Sequence, residues 1–154
     1  GRAGQLGMAH IGYIDKKSTP VKVDRPAGLS PSDKVKKVEV GIWHSCMLMN
    51  SGRVFCWGTN TYGHLGANLA LGALPNNRSV KPIPILVGTG GIPAGERIID
   101  LAAGANRGCA VVENGRSYCW GLNDAGQIGD GTHIDARAPT ESLFLRPTQN
   151  RYIY

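Results

Sequence analysis

The sequence predicts an all-β chain of repeated four-stranded antiparallel units, about two units and part of another. Three observations carry that expectation. A gapless internal repeat runs through the chain, short apolar runs alternate with glycine-bearing turns, and four cysteines fall into two pairs of identical spacing.

The repeat organises everything else. One copy reads Gly41-Ile-Trp-His-Ser-Cys46, then Gly52-Arg-Val-Phe-Cys56-Trp57-Gly58-Thr-Asn60, then Gly63-His-Leu-Gly66. The next reads Gly104-Ala-Asn-Arg-Gly-Cys109, then Gly115-Arg-Ser-Tyr-Cys119-Trp120-Gly121-Leu-Asn123, then Gly126-Gln-Ile-Gly129. The two align without a gap at an offset of about 60 residues. A third echo opens the chain, where Gly1-Arg-Ala-Gly4-Gln-Leu-Gly7 matches Asn60 to Gly66. Self-similarity at a fixed period marks architectures whose units bury their faces against neighbouring copies.

Within each unit, the short apolar-rich runs Val35–Val40 and Ile98–Ala103 end at a glycine and predict a first strand. Residues 46–49 and 53–56 flank Asn-Ser-Gly, and residues 109–112 and 116–119 flank Glu-Asn-Gly, so each pair predicts a hairpin. A fourth, proline-flanked strand is expected at residues 21–23 and again at 83–87. Proline suits an outer edge strand, where the missing N–H would only face solvent. Four strands at a fixed period describe propeller blades. The units are expected at residues 34–96, with a long insertion, and 97–154, with residues 1–33 as the tail of a preceding one. A propeller closes with roughly four to eight blades. The remaining blades are therefore expected from the same longer chain, or from other copies of this one.

This pattern closely resembles the repeat of the RCC1 family, the regulator of chromosome condensation. The resemblance covers nearly the whole chain. It implies that the blades belong to a seven-bladed, protein-binding propeller. It marks Gly41, His44, Trp57, Gly58, Asn60, Gly63 and Gly66 as structural, with Gly104, Trp120, Gly121, Asn123, Gly126 and Gly129 in the next repeat. His44 matches the family's recurrent histidine and is expected to hydrogen-bond between blades. The founding type of the family acts as an exchange factor for a small nuclear GTPase on chromatin, which the repeat alone does not specify. The chain departs from strict repetition where Arg107 replaces His44, where Gln127 replaces His64, and in the long segments 10–33 and 67–82.

The cysteines bear on the compartment. Cys46 and Cys56, like Cys109 and Cys119, are separated by nine residues, wider than the two to four that zinc sites favour. Ser51 and Asn114 are the midpoints, each inside a predicted turn, which sets each pair directly across adjacent antiparallel strands. In a non-hydrogen-bonded pair the Cα atoms stand about 4.5 Å apart, within disulfide range. Two disulfides are therefore expected, each worth about 3 kcal/mol in the chain-entropy model. Persistent disulfides imply an oxidising compartment. The cysteines thus align the chain with secreted or surface members of the family, and the expected location is extracellular, cell-surface or periplasmic.

Composition narrows the partners. The net charge is +6, but Lys16, Lys17, Lys34, Lys36 and Lys37 crowd one quarter while the arginines scatter. A solvated basic surface is expected rather than a nucleic-acid site, which needs clustered cations. No apolar run approaches the ~20 residues of a membrane helix. The acidic residues Asp124, Asp130 and Asp135 lack a calcium-ligand ladder, and no histidine spacing assembles a metal site. No catalytic set appears: Ser45 and His44 are neighbours on a strand, and no Gly-x-Ser-x-Gly elbow is present. No enzyme activity and no cofactor are expected. Asn77-Arg78-Ser79 is a glycosylation sequon in the long insertion.

A strand meander alternates its turns between two faces. The face carrying residues 42–44, 60–66, 105–107 and 123–129 holds the candidate binding residues Trp43, Tyr62, Asn106 and Arg107. Trp57 and Trp120 recur and are expected to fill space between blades. Trp43 does not recur, so it is either a contact anchor or local packing. The expected function is a non-catalytic, extracytoplasmic protein-interaction scaffold, such as part of a surface structure or filament. The alternatives are an exchange-factor-type or chromatin-associated regulator, and a secreted carbohydrate-binding or hydrolytic protein needing an acidic or aromatic cluster on one face.

Overall fold

The computed structural model describes residues 19–143, which form two antiparallel four-stranded sheets, each in sequential strand order. The opening echo at residues 1–7 lies outside the described residues. The first sheet holds β1 (Val35–Val40), β2 (His44–Met49), β3 (Val54–Thr59) and β4 (Arg78–Pro84). The second holds β5 (Ile98–Ala103), β6 (Arg107–Val112), β7 (Ser117–Gly121) and β8 (Ala136–Glu141). Among these residues no helix is long and apolar enough to cross a membrane.

The central hairpins follow from their turns. In each, a three-residue loop ends on a glycine with φ of 84°, Gly52 or Gly115. That left-handed conformation is nearly free for glycine and costly for other residues. The Met49 N–H donates to the Arg53 carbonyl at 2.8 Å, and the Val112 N–H to the Arg116 carbonyl at 2.9 Å. The register this sets brings Cys46 directly opposite Cys56 and Cys109 opposite Cys119. Both pairs are disulfide-bonded, with Cα atoms 4.1 Å apart. The cysteines thus close β2 on β3 and β6 on β7.

The outer strands depart from expectation. Residues 21–23 form no strand. The first sheet's outer strand begins at Arg78 and ends at Pro84, earlier than the expected 83–87. Of the expected 83–87, only Ile83 and Pro84 lie in the strand, because pairing is set by register: Thr59 meets Arg78, and a bulge between Cys56 and Gly58 realigns the ladder. The Ile85 N–H donates a last bond to the Val54 carbonyl at 3.2 Å, after which the chain turns away. β8 completes the expected four strands of the second unit at residues the sequence does not single out. It is an edge strand whose buried apolar residues are Ala136, Ala138 and Pro139, which raise no hydrophobic run. Pro82 and Pro139 sit one residue before Ile83 and Thr140, the partners of Cys56 and Cys119, so both outer strands carry proline at the same register.

Alternation of side chains gives each sheet two faces. Cys46, Leu48, Val54 and Cys56 turn toward the second blade and join Ile98, Leu101, Ala110, Tyr118 and Trp120 in one core. Met47, Met49, Phe55 and Trp57 occupy the opposite face of the first blade, against Val23 and Leu29. Ile98 and Leu101 are 2% and 1% exposed, whereas their repeat equivalents Val35 and Val38 are 50% and 55% exposed. The neighbouring blade is what buries this position.

Candidate functional site

The strand meander and the repeat together build one cleft at the blade junction. Equivalent turns of adjacent blades lie side by side, so Trp43 of the β1–β2 turn and Asn106 of the β5–β6 turn come together. The loop after β3 supplies Thr61, Tyr62 and His64, and Thr59 closes the wall of a cleft of ≈ 330 Å³. Trp43 and Tyr62 are 45% and 39% exposed, a large amount of aromatic surface for a single rim.

Local bonds hold the rim in place. The Thr59 N–H donates to the Trp43 carbonyl at 2.9 Å, fixing the turn to the strand end. Asn60 is 4% exposed, and its side-chain oxygen accepts the Leu65 N–H at 3.2 Å. Asn123 does the same for Ile128 at 2.8 Å in the next blade. Across the junction, the Trp120 Nε1–H donates to the His64 carbonyl at 2.9 Å, and Arg137 donates to the Thr61 and Leu69 carbonyls. The second blade thus clamps the first blade's loop.

The electrostatics are those of an uncharged site. The Tyr62 N–H donates to His64 Nδ1 at 3.4 Å, which leaves the ring proton on Nε2, 3.3 Å from Asn106 Oδ1. Burial pushes His64 below the ordinary imidazole range, while the Asn106 bond and the Asp135 charge oppose that shift. His64 is therefore neutral near pH 7. Beneath it lies His44, fully buried, with ring centroids 5.3 Å apart. Burial first, and then the neighbouring His64, lower the His44 pKa to about 4.

Of the interblade bonding expected of His44, the structure carries the Arg107 backbone beside its ring. The Arg107 backbone partly opposes its shift, yet neither ring nitrogen meets hydrogen-bond geometry with a described residue. The ring is wedged instead against His64 and Gly41. A Cβ on Gly41 would stand 2.4 Å from His44 Cε1 and 2.4 Å from the Gly104 carbonyl oxygen.

The structure brings Trp43, Tyr62 and Asn106 together and leaves Arg107 outside the cleft lining. Arg107 opens β6 opposite Gly121, with its side chain leaning over Gly104. Thr59, Thr61 and His64 complete the lining beyond the residues the repeat singles out. His64 carried a usable signal, since it breaks the repeat at Gln127 just as Trp43 does at Asn106. Among the described residues no group of three or more His, Cys, Asp or Glu could hold a metal ion. A larger, mostly apolar groove of ≈ 660 Å³ lies beside β4, lined by Leu69, Leu74, Ile83 and Leu86 with Arg53 as its one charged residue.

Comparison with known proteins agrees with the architecture. Models of the regulator of chromosome condensation (RCC1) repeat match residues 35–63 and 98–127, and another match spans 51–111. The human E3 ubiquitin-protein ligase HERC2 is 35% identical over 129 residues, 84% of this chain and 2% of the ligase. The human probable E3 ubiquitin-protein ligase HERC3 is 32% identical over 119 residues, 77% of this chain and 10% of that protein. The chain thus spans a small part of the curated relatives it matches. Among solved structures, human WBSCR16 superimposes with a TM-score of 0.75 at 22% identity, covering 91% of this chain and 32% of that one. Yeast RCC1 (Prp20), solved bound to Kap60, gives a TM-score of 0.67 at 21% identity, covering 96% and 32%. With two blades, two repeat matches and a shared propeller fold, the chain belongs to the RCC1 repeat family.

Proposed function

We propose that these blades form part of a non-catalytic propeller that recognises a protein partner in an oxidising, extracytoplasmic setting such as the cell surface. One observation carries the reading: each blade closes its central hairpin with a disulfide at the same register. Reducing compartments keep thiols open, so a stabilising element placed in every blade suits an oxidising one. The recognition half of the reading rests on the rigid, blade-clamped cleft with exposed Trp43 and Tyr62, the residue types that anchor protein interfaces. Yeast RCC1 (Prp20) engages Kap60 as a protein partner, which fits the same use of the fold.

A second reading has its own support. The identity to HERC2 favours an intracellular, RCC1-type regulator. Thiol state separates the two. The full-length protein, isolated natively and alkylated before any reduction, is expected to leave Cys46, Cys56, Cys109 and Cys119 unmodified. Modification of all four without reductant would overturn the oxidising reading and leave the intracellular one.

A further inference from the structure

We infer that the Trp43–Tyr62–Asn106 cleft is a docking site for a proline-containing, extended peptide segment of the protein partner. The inference rests on the protein-binding reading above and names the chemistry of what docks.

The balance of hydrogen-bonding groups around the cleft is lopsided. The backbone acceptors at its rim are already engaged: the Trp43 carbonyl by the Thr59 N–H, and the Asn106 carbonyl by the Leu122 N–H. The His64 carbonyl accepts from Trp120 and the Thr61 carbonyl from Arg137. Two side-chain acceptors follow suit, since His64 Nδ1 takes the Tyr62 N–H and Asn106 Oδ1 takes the His64 proton, while the Thr59, Thr61 and Tyr62 hydroxyls can both donate and accept. That last bond also orients the Asn106 amide, so its Nδ2 group is the half left over. The donors are not engaged. Trp43 Nε1–H, Asn106 Nδ2 and the Tyr62 hydroxyl have no partner among the described residues.

A fitting ligand therefore brings acceptors and few donors. It also brings a flat apolar surface for two half-exposed rings, and no charge, because the lining is neutral. A proline-containing segment has these properties together. Each proline contributes a carbonyl acceptor, no N–H and an apolar ring, and the extended polyproline II form has little conformational entropy left to lose. Aromatic-lined grooves use this complementarity in other peptide-recognition modules. A pyranose would also stack on the rings, but its hydroxyls bring a donor with every acceptor, whereas the surplus in the lining is of donors, Trp43 Nε1–H and Asn106 Nδ2. An anion would find no cation in the lining.

The test titrates a proline decapeptide into the full-length, disulfide-intact protein, reading the heat of binding by isothermal titration calorimetry. Saturable binding is expected, at least tenfold tighter than for a glycine–serine decapeptide. Trp43→Ala and Tyr62→Ala are each expected to weaken it about tenfold or more, with thermal unfolding unchanged. Asn106→Leu removes the free donor and is expected to weaken binding several-fold. Because Asn106 also holds His64, Tyr62→Phe is the cleaner donor deletion and carries the same expectation. No saturation by oligoproline, or an affinity unmoved by Trp43→Ala, would overturn the inference, as would saturation by cellohexaose in its place. A native protein partner that loses affinity for Trp43→Ala while oligoproline fails to bind would overturn the proline chemistry and leave the protein-binding reading standing.

Discussion

The Trp120 indole of the second blade donates its Nε1–H to the His64 carbonyl of the first blade at 2.9 Å, in a fully buried setting. The bond makes a packing residue into a positioning one, because His64 lines the candidate cleft. Trp120→Phe keeps most of the ring volume but strands a buried acceptor, which costs about 1–3 kcal/mol. Trp120→Ala adds a cavity and is expected to cost about 3–5 kcal/mol. Urea unfolding of the three proteins measures both; equal midpoints for wild type and Trp120→Phe would contradict the role.

The second-repeat glycine offers a contrasting test. Gly41 and Gly104 are repeat equivalents with different neighbours. A Cβ on Gly41 would meet a backbone oxygen and the immobile His44 ring at 2.4 Å. A Cβ on Gly104 would meet only the flexible Arg107 side chain, no closer than 3.3 Å. Gly41→Ala is therefore expected to destabilise by about 1–3 kcal/mol or more, as overpacking does, and Gly104→Ala to stay within about 0.5 kcal/mol. Thermal melts of the two variants check the order, and equal losses would refute it.

These tests rest on features of unequal legibility. β1 and β5 matched their expected bounds because aliphatic runs ending at Gly41 and Gly104 leave little choice of register. The disulfides were readable because the turn centres at Ser51 and Asn114 fix which residues face each other. The outer strands were not. β4 pairs through Arg78, Ser79, Ile83 and Pro84 and stops short of residues 85–87, and β8 buries only Ala136, Ala138 and Pro139. Edge strands are held by a ladder on one side and need little hydrophobic signal of their own. The cleft was half legible: Trp43 and Asn106 stood out as breaks in the repeat, but their meeting depends on the lateral placement of two blades. How His44 meets the second blade was invisible for the same reason, since it depends on how Gly41, His64 and the Arg107 backbone crowd one ring.

The disulfides are expected to differ in reducibility. Cys46 and Cys56 are 0% exposed inside the interblade core, whereas Cys119 is 6% exposed and Cys109 only partly buried. Thiolate attack needs access to sulfur. In this chain, mild reductant followed by alkylation and peptide mapping should label Cys109 and Cys119 first. Loss of either ten-residue cross-link is expected to cost about 3 kcal/mol. Simultaneous labelling of all four cysteines would show that opening of the junction, not access, controls the reaction.

Acid should loosen the junction before it affects the carboxylates. His44 has a folded pKa of about 4 against 6.5 in the unfolded chain, through burial and the adjacent His64. Between those values the unfolded chain binds a proton that the native state refuses, so stability is complete above pH 6.5 and falls as pH drops toward 4. The full loss from His44 is on the order of 3 kcal/mol. His64 shifts in the same direction and adds to it. Asp33, Asp100 and Asp130 are held below their ordinary value of 3.8, so their contributions persist through this window and fade only at lower pH. Urea midpoints measured at pH 7.5 and 4.5 are expected to separate for the wild type and to draw together in His44→Asn. An undiminished pH slope in that variant would place the acid sensitivity elsewhere than this buried ring.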